Sequence, residues 1–125
     1  MRLLLDTHIF LWVTADDKRL SLQARRTILD ASRIFVSSAT IWELAIKFRL
    51  GKIRVNPEDA IREMAICGFE ELPVRNGHAA QVAKLPLLHN DPFDRLLIAQ
   101  AITEPMHLLT SDPQLKAYSE LVVTV

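Results

Sequence analysis

The chain has 125 residues, half of them hydrophobic, and its 15 basic residues balance 15 acidic ones, so the formal net charge is zero. This length predicts a single domain, 1–125, and the balanced charge excludes an overall basic surface, so any contact with nucleic acid would need a local basic patch. The lone Cys67 excludes an internal disulfide and a cysteine-based metal cluster, and without a signal sequence or a membrane-length apolar run we expect a cytoplasmic protein with no membrane partner.

The chain opens with an apolar run, residues 3–5, that ends at the carboxylate of Asp6. Such a run is typical of a strand buried on both faces, with Asp6 just past its C-terminal end. In an open parallel sheet, ligands bind outside the carboxyl ends of the strands, near the point where the winding reverses. Asp6 therefore has two interpretations, a residue at a binding crevice or the cap of the next helix.

Helical and strand patterns then alternate. A short helical segment at 9–13 precedes an amphipathic helix that begins at Ser21 and continues to about residue 33. Its expected inward face consists of Leu22, Ala24, Ile28 and Leu29. A strand follows at 34–36, and Thr40 with Glu43 fits the capping box of a further helix that Gly51 ends.

The second half continues the alternation. Asn56 and Pro57 begin a helix over 58–67, and residues 71–74 form a weak strand, placed at an edge because it contains a proline. A short helix ends near residue 84, and Asp91 precedes a helix over 94–103. A strand at 107–109, a short helix after Asp112 and a strand at 121–125 complete the chain. This order predicts an α/β fold with a parallel sheet.

Four acidic residues follow strand ends within the first turn of a helix, namely Asp6, Glu43, Asp94 and Asp112. Each alone is explained by capping, which contributes about 0.5–2 kcal/mol. Parallel strands, however, bring their carboxyl ends to one edge, and two carboxylates ~5 Å apart repel by roughly 3 kcal/mol at an effective dielectric near 20. A cluster of such acids needs a cation or a shared proton.

Oxygen ligands without cysteine favour a hard ion, Mg²⁺ or Mn²⁺, so the four acids are predicted to be both metal ligands and catalytic residues. A site of this kind suits phosphodiester hydrolysis by activated water. Hydroxyl side chains beside the acids are candidates for orienting them: Ser38, Thr40, Thr110 and Ser111. The histidines share no ligand spacing, which argues against zinc, and only His8 is expected near the acids.

Four segments together resemble a PIN domain, and are most similar to the VapC-type toxins of toxin–antitoxin pairs. They are residues 3–8 (LLLDTH), 38–47 (SATIWELAIK), 91–101 (DPFDRLLIAQA) and 110–112 (TSD). The likeness covers almost the whole chain, with the four acids in the family's order. It implies a PIN-like fold with a central parallel sheet flanked by helices, a Mg²⁺- or Mn²⁺-dependent endoribonuclease acting on RNA, a homodimer, and an antitoxin encoded alongside.

Carried over residue by residue, the resemblance implies that Asp6, Glu43, Asp94 and Asp112 are the family's acidic residues, with Asp6 and Asp94 as direct metal ligands. Asp91 is an extra acid, interpreted mainly as a helix N-cap. Three candidates for RNA binding are Lys47, Arg49 and Arg95.

The basic candidates have alternatives. The stretch that contains Lys47, Arg49, Lys52 and Arg54 either holds RNA phosphates or is a solvated helix end. Arg95 either clamps a phosphate or pairs with an acid. Trp42 is expected in the core, the alternative being a groove in which an antitoxin helix docks.

Other functions stay open. A phosphatase of the haloacid dehalogenase type needs a second aspartate two residues after Asp6, where this chain has His8. A phosphoacceptor receiver domain needs an acceptor aspartate after a middle strand, and the segment from Ser37 to Glu43 supplies none. A non-catalytic module that only binds its antitoxin remains the third alternative.

Overall fold

The structure, a computed structural model, describes residues 1–125. Five parallel strands form one sheet in the order β3-β2-β1-β4-β5. The strands are β1 (Arg2–Leu5), β2 (Arg33–Ser37), β3 (Glu70–Leu72), β4 (His107–Thr110) and β5 (Val122–Thr124). The predicted α/β fold with a parallel sheet is confirmed, and β3 lies at an edge as expected.

Six α-helices and two 3₁₀-helices connect the strands. The α-helices are α1 (Thr7–Thr14), α2 (Leu22–Asp30), α3 (Ser38–Arg49), α4 (Pro57–Cys67), α5 (Asn76–Gln81) and α6 (Pro92–Thr103). The 3₁₀-helices are Val82–Lys84 and Pro113–Tyr118. None of the helices has the length and apolar character that crossing a bilayer requires.

The central strand β1 is buried on both sides. Leu3 and Leu5 belong to one apolar cluster and Leu4 to the other, and all three are fully buried. Successive side chains of a strand point to opposite faces, so each face of the sheet has its own core. Helices α1 to α4 contribute to the cluster of Leu3 and Leu5, and α6 contributes to the cluster of Leu4.

The winding of the sheet reverses beside β1. The chain passes from β1 to β2 and β3 on one side, and then places β4 and β5 on the other side. The backbone N–H of Asp6 donates to the carbonyl of Leu109 at 3.0 Å, so the pairing of β1 with β4 continues past the end of β1. The reversal point, where open α/β sheets bind their ligands, therefore lies next to Asp6.

The prediction for α2 is partly wrong. Ser21 caps it as predicted, but the helix ends at Asp30 because the strand begins at Arg33. Leu22 and Leu29 are 71% and 82% exposed rather than inward-facing. Successive residues of a helix are rotated by about 100°, so positions 22 and 29 lie on one face and positions 24 and 28 on another. Only the face with positions 24 and 28 is directed at the core.

The start of α3 also differs from the prediction. Strand β2 passes directly into the helix, and the N-cap is Ser37, whose hydroxyl accepts a hydrogen bond from the N–H of Ala39 at 3.0 Å. Thr40 and Glu43 consequently lie inside the helix, and the predicted capping box is wrong. The carboxylate of Glu43 is left free for contacts at the sheet edge.

The remaining helix boundaries agree with the sequence. Residues predicted as N-caps accept backbone hydrogen bonds in the structure: Asn56, Asp91 and Asp112. Gly51 and Gly68 follow α3 and α4 with φ of 72° and 76°, a left-handed conformation that glycine adopts without strain.

Candidate active site at the sheet edge

Asp6 lies at the reversal point and is 4% exposed. Its Oδ1 accepts a hydrogen bond from the N–H of Ile9 at 2.9 Å, and its Oδ2 accepts one from the hydroxyl of Thr110 at 2.6 Å. The two interpretations of Asp6 are therefore compatible, since one oxygen caps α1 while the other meets the end of β4.

Burial makes the charged form of Asp6 unfavourable. It raises the pKa of this carboxyl from 3.8 to about 6, against the opposing effect of the hydrogen bonds from Thr110 and Ile9. The nearby charge of His8 lowers the pKa, and the charge of Asp94 raises it. This coupling means that Asp6 and Asp94 share one electrostatic environment although 88 positions separate them.

Glu43 is held by two hydrogen-bond partners at the same end of the sheet, where the strands have their carboxyl ends. The hydroxyl of Thr7 donates to its Oε1 at 2.7 Å, and the ammonium of Lys47, one turn further along α3, donates to its Oε2 at 2.8 Å. The hydroxyls of Thr7 and Thr40 lie 3.3 Å apart. Lys47 therefore pairs with one of the predicted acids, whereas the sequence offered an RNA phosphate or solvent at a helix end as its surroundings.

Asp94 occupies the first turn of α6, beside His89. Its Oδ2 lies 3.0 Å from Nε2 of the histidine, and its Oδ1 accepts no hydrogen bond from the protein. Burial raises the pKa of Asp94, and the charges of Asp91 and Glu43 raise it further. The negative charge of Glu43 thus raises the pKa of Asp94, just as the charge of Asp94 raises the pKa of Asp6. Three of the predicted acids therefore lie close enough to interact electrostatically.

Asp112 completes the group. One ligand atom each from His89, Asp94 and Asp112 lies within 4.8 Å of the others, an arrangement able to hold a metal ion. The N–H of Asp112 donates to the hydroxyl of Thr110 at 3.0 Å, so this hydroxyl connects Asp112 with Asp6.

The donor set fits a hard divalent cation. Ligand atoms of Asp94 and Asp112 lie close together, the charge of Asp94 acts on Asp6 and that of Glu43 acts on Asp94, and Lys47 pairs directly with Glu43. Asp94 Oδ1 and Asp112 Oδ2 accept no hydrogen bond from the protein, so both are available as ligands. Burial, and to a smaller extent neighbouring carboxylates, makes the charged forms of Asp6 and Asp94 unfavourable, and a bound divalent cation would stabilise those charged forms.

Sequence reasoning missed His89 and Thr7. The expectation that only His8 lies near the acids is wrong, because the loop before α6 folds His89 back onto Asp94. No regular ligand spacing marks it, and its position five residues before Asp94 is the one available signal. Thr7 follows Asp6 directly, and its contact with Glu43 depends on the pairing of β1 with β2.

The structure corrects the prediction for Arg95. Its side chain is buried, and its guanidinium donates to the carbonyls of Pro86 and Val82 and to the hydroxyl of Tyr118. No acid pairs with it, so the predicted ion pair is wrong, and its donors are directed to these carbonyls and this hydroxyl, so the structure gives no support to a phosphate clamp. The residue instead fastens the loop before α6 to the protein.

Two other candidates lie beside the acids without orienting them. The hydroxyl of Ser38 accepts a hydrogen bond from the N–H of Val74 at 3.1 Å, which ties α3 to the segment after β3. The hydroxyl of Ser111 forms no hydrogen bond within the chain. Among the predicted orienting hydroxyls, Thr110 therefore has a direct contact with an acid, and Thr40 reaches Glu43 only through Thr7.

A groove of about 280 Å³, here called the Trp12 groove, lies beside Glu43 and has both apolar and charged residues in its wall. It shares Thr7 and Lys47 with the contacts of Glu43, and its wall includes His8, Trp12 and Arg19. The guanidinium of Arg19 lies 5.3 Å from the centre of the Trp12 ring, and the ring of His8 lies 6.0 Å from it. The groove thus offers an aromatic surface beside two cations that are paired with acids, Arg19 with Asp17 and Lys47 with Glu43.

A second, apolar groove of about 430 Å³ lies between α3 and α6. Trp42 is 60% exposed at its edge and contacts Phe93 at a ring distance of 5.1 Å. The expectation that Trp42 lies in the core is therefore wrong. Phe93 directly precedes Asp94, so the groove reaches the rim of the acidic cluster.

Comparison with known proteins agrees with this architecture. The family model described as "PIN domain" matches residues 3–121. "Ribonuclease VapC22" from Mycobacterium tuberculosis is 29% identical over 117 residues, which cover 92% of this chain and 90% of that protein.

Two solved structures share the fold. VapBC2 from Rickettsia felis, bound to a DNA fragment from its promoter, matches with a TM-score of 0.71 and 17% identity, covering all of this chain and 98% of that one. A toxin–antitoxin complex from Klebsiella pneumoniae matches with a TM-score of 0.68 and 20% identity, covering 97% and 95%.

Proposed function

Because the chain belongs to the PIN domain family, we propose that it is a Mg²⁺- or Mn²⁺-dependent endoribonuclease that acts as the toxin of a type II toxin–antitoxin pair. The observation that carries this proposal is that His89, Asp94 and Asp112 each place one ligand atom within 4.8 Å of the others, while the charge of Asp94 acts on the buried Asp6 and that of Glu43 acts on Asp94. The similarity to a protein named as a ribonuclease and to two toxin–antitoxin structures supports it.

The four acids would hold the cation. Asp94 and Asp112 each have a carboxylate oxygen that accepts no hydrogen bond from the protein, and Asp6 and Glu43 would add further negative charge beside the ion. A bound divalent ion supplies an activated water nucleophile and neutralises charge on the phosphoryl oxygens. In the hydrolysis, the water oxygen bonds to phosphorus and loses a proton, the bond from phosphorus to a ribose oxygen breaks, and that oxygen takes up a proton.

The surrounding residues keep these carboxylates in place. The hydroxyl of Thr110 donates to Oδ2 of Asp6. Thr7 and Lys47 donate to Oε1 and Oε2 of Glu43, respectively. Positioning of this kind matters because small displacements of reacting groups are costly in rate. The buried setting of Asp6 and Glu43 also strengthens the electrostatic effect of the site.

We propose that RNA approaches through the Trp12 groove. Trp12 offers a surface on which an unpaired base can stack, and the exposed side chains of Arg49, Lys52 and Arg54 follow the same end of α3. Charge complementarity with phosphate supports this path, since these three cations have no partner within the chain.

The test is cleavage of RNA by the antitoxin-free protein with Mn²⁺. We expect Asp94→Ala to abolish cleavage and to leave the fold intact, and the exposed Asp30→Ala to retain it as a matched control. Cleavage that persists in Asp94→Ala without dependence on metal contradicts the mechanism. Intact RNA with the unaltered protein, together with tight antitoxin binding, would favour the non-catalytic alternative.

We propose that the apolar groove beside Trp42 receives a helix of the antitoxin. The groove is almost entirely apolar, which suits the apolar face of an amphipathic helix. Its contact with Phe93, next to Asp94, would place such a helix at the rim of the acidic cluster. Occupation of the groove would therefore obstruct substrate access.

We further propose that residues 1–125 fold as one domain and that two copies form a homodimer in the cytoplasm. A zero net charge weakly favours self-association, and Leu87 and Leu88 add exposed apolar surface. Light scattering after size-exclusion chromatography measures this directly, and a mass near 14.2 kDa at all concentrations would contradict a dimer.

A further inference from the structure

We propose that His89 is a direct ligand of the divalent cation, together with Asp94 and Asp112, and that its nitrogen makes the site prefer Mn²⁺ to Mg²⁺. The inference rests on the proposed function, since it concerns the cation of that site. It goes beyond it by adding a nitrogen ligand to an otherwise all-carboxylate set.

The spacing of the donor atoms is that of ligands around one ion. His89 Nε2 and Asp94 Oδ2 lie 3.0 Å apart. Adjacent ligands of an octahedral ion at about 2.1 Å are separated by about 3 Å, and opposite ligands by about 4.2 Å. The full set of three atoms spans at most 4.8 Å, so small side-chain rotations would close it around a cation.

The imidazole has no competing structural role. Its contact with Asp94 is the only hydrogen bond of the ring, and the side chain is 21% exposed, so water can accept the proton of Nδ1. By contrast, the buried ring of His78 is bonded on both nitrogens, by Glu104 and by the N–H of Arg75. His89 is half-buried, and its ring contacts only a carboxylate of the site. Its position is therefore that expected of a ligand to a cation at this site.

A nitrogen ligand changes which divalent cation the site binds more tightly. Mg²⁺ prefers an all-oxygen octahedron and gives up its water reluctantly, whereas imidazole nitrogen binds first-row transition ions more readily. Mn²⁺ accepts both carboxylate oxygen and imidazole nitrogen. With His89 in the set, we expect the site to select Mn²⁺ when both ions are present.

The experiment is electron spin echo spectroscopy of Mn²⁺ bound to the full chain, which detects a coordinated imidazole through its ¹⁴N coupling. We expect this coupling in the unaltered protein and in His8→Gln, which removes the other histidine near the acids. It should be absent in His89→Gln. Calorimetry should show that His89→Gln weakens Mn²⁺ binding by at least about tenfold and Mg²⁺ binding by a smaller factor.

The other outcomes separate this inference from the proposed function. Mn²⁺ bound without nitrogen coupling, or coupling that persists in His89→Gln, overturns the role of His89 and leaves the ribonuclease proposal standing. An unaltered protein that binds no Mn²⁺ overturns both. The spectrum of the unaltered protein tests whether a histidine binds the cation even if His89→Gln fails to fold.

Discussion

The hydroxyl of Thr110 donates a 2.6 Å hydrogen bond to Oδ2 of Asp6, across 104 positions of sequence. The bond joins the ends of the two adjacent strands between which the winding of the sheet reverses. It is also one of the interactions that keep the pKa of Asp6 from rising further. The ionisation of Asp6 thus depends on a residue that only the sheet topology brings to it.

We predict that Thr110→Val shifts cleavage activity to higher pH. Loss of the hydrogen bond raises the pKa of Asp6 above about 6, so a higher pH is needed to ionise this carboxylate for cation binding. Activity should fall roughly tenfold near pH 6 and less than about twofold near pH 9. The pH–rate profile measures the effect.

Thr124→Val is the matched control for this change, because the hydroxyl of Thr124 is buried without a hydrogen-bond partner. Its profile should coincide with that of the unaltered protein, and its stability should be equal or higher. An unshifted profile in Thr110→Val would show that the hydroxyl does not control Asp6.

Asp6→Asn is predicted to stabilise the cation-free protein above pH 6. Because the folded pKa of about 6 exceeds the ordinary value of 3.8, the contribution of Asp6 to stability is full below about pH 4 and is lost as pH rises to about 6. The difference corresponds to at most about 3 kcal/mol. Asparagine also keeps the cap of α1.

Urea unfolding in a chelator between pH 4 and 8 tests this prediction. The free energy of unfolding of the unaltered protein should fall over pH 4–6, and the fall should be smaller in Asp6→Asn. A remaining slope is expected because the pKa of Asp94 is also raised. The exposed Asp30→Asn should preserve the full slope, and equal slopes in all three proteins would refute the effect of burial.

Lys47→Met distinguishes the two roles of this lysine. If Lys47 positions Glu43, as their 2.8 Å contact indicates, kcat should fall about tenfold with little change in KM. If it mainly held an RNA phosphate, KM would rise and the salt dependence of binding would weaken. Methionine retains the aliphatic part of the side chain, so packing is preserved.

The control for Lys47 is Lys52→Met, an exposed position with no partner in the chain. We expect it to raise KM severalfold without changing kcat, as removal of one phosphate contact would. Identical kinetic signatures in the two variants would argue against a positioning role for Lys47.

Trp42→Asp is expected to weaken antitoxin binding by at least about 30-fold, because a charge would enter an apolar groove at an aromatic anchor. Cleavage of RNA by the free protein should be retained. Leu29→Asp, at an apolar residue that is 82% exposed on α2, is the control and should bind normally. Titration calorimetry with the cognate antitoxin measures both, and unchanged affinity in Trp42→Asp would exclude this groove.

The sequence alone predicted the features that local chemistry controls. Apolar runs interrupted by helical periodicity indicated the parallel α/β sheet, because strands buried on both faces require both faces to be apolar. Asn56, Asp91 and Gly68 were recognisable as caps, since capping depends on neighbours within one turn. The predicted position just after a strand end is right for Asp6 and Asp112, but wrong for Glu43, which lies in the second turn of α3, and for Asp94, whose helix follows a loop and not a strand.

Tertiary structure decided which partner each polar side chain has. Glu43 fits a local capping box, yet it contacts Thr7, and Arg95 follows Asp94 directly but is bonded to carbonyls elsewhere. His89 joins the acids through the path of a loop, which no periodic pattern encodes. The physical reason is that the contact of Glu43 with Thr7 depends on how the sheet is wound, and those of His89 and Arg95 depend on the path of an irregular loop, so no local periodic pattern encodes them.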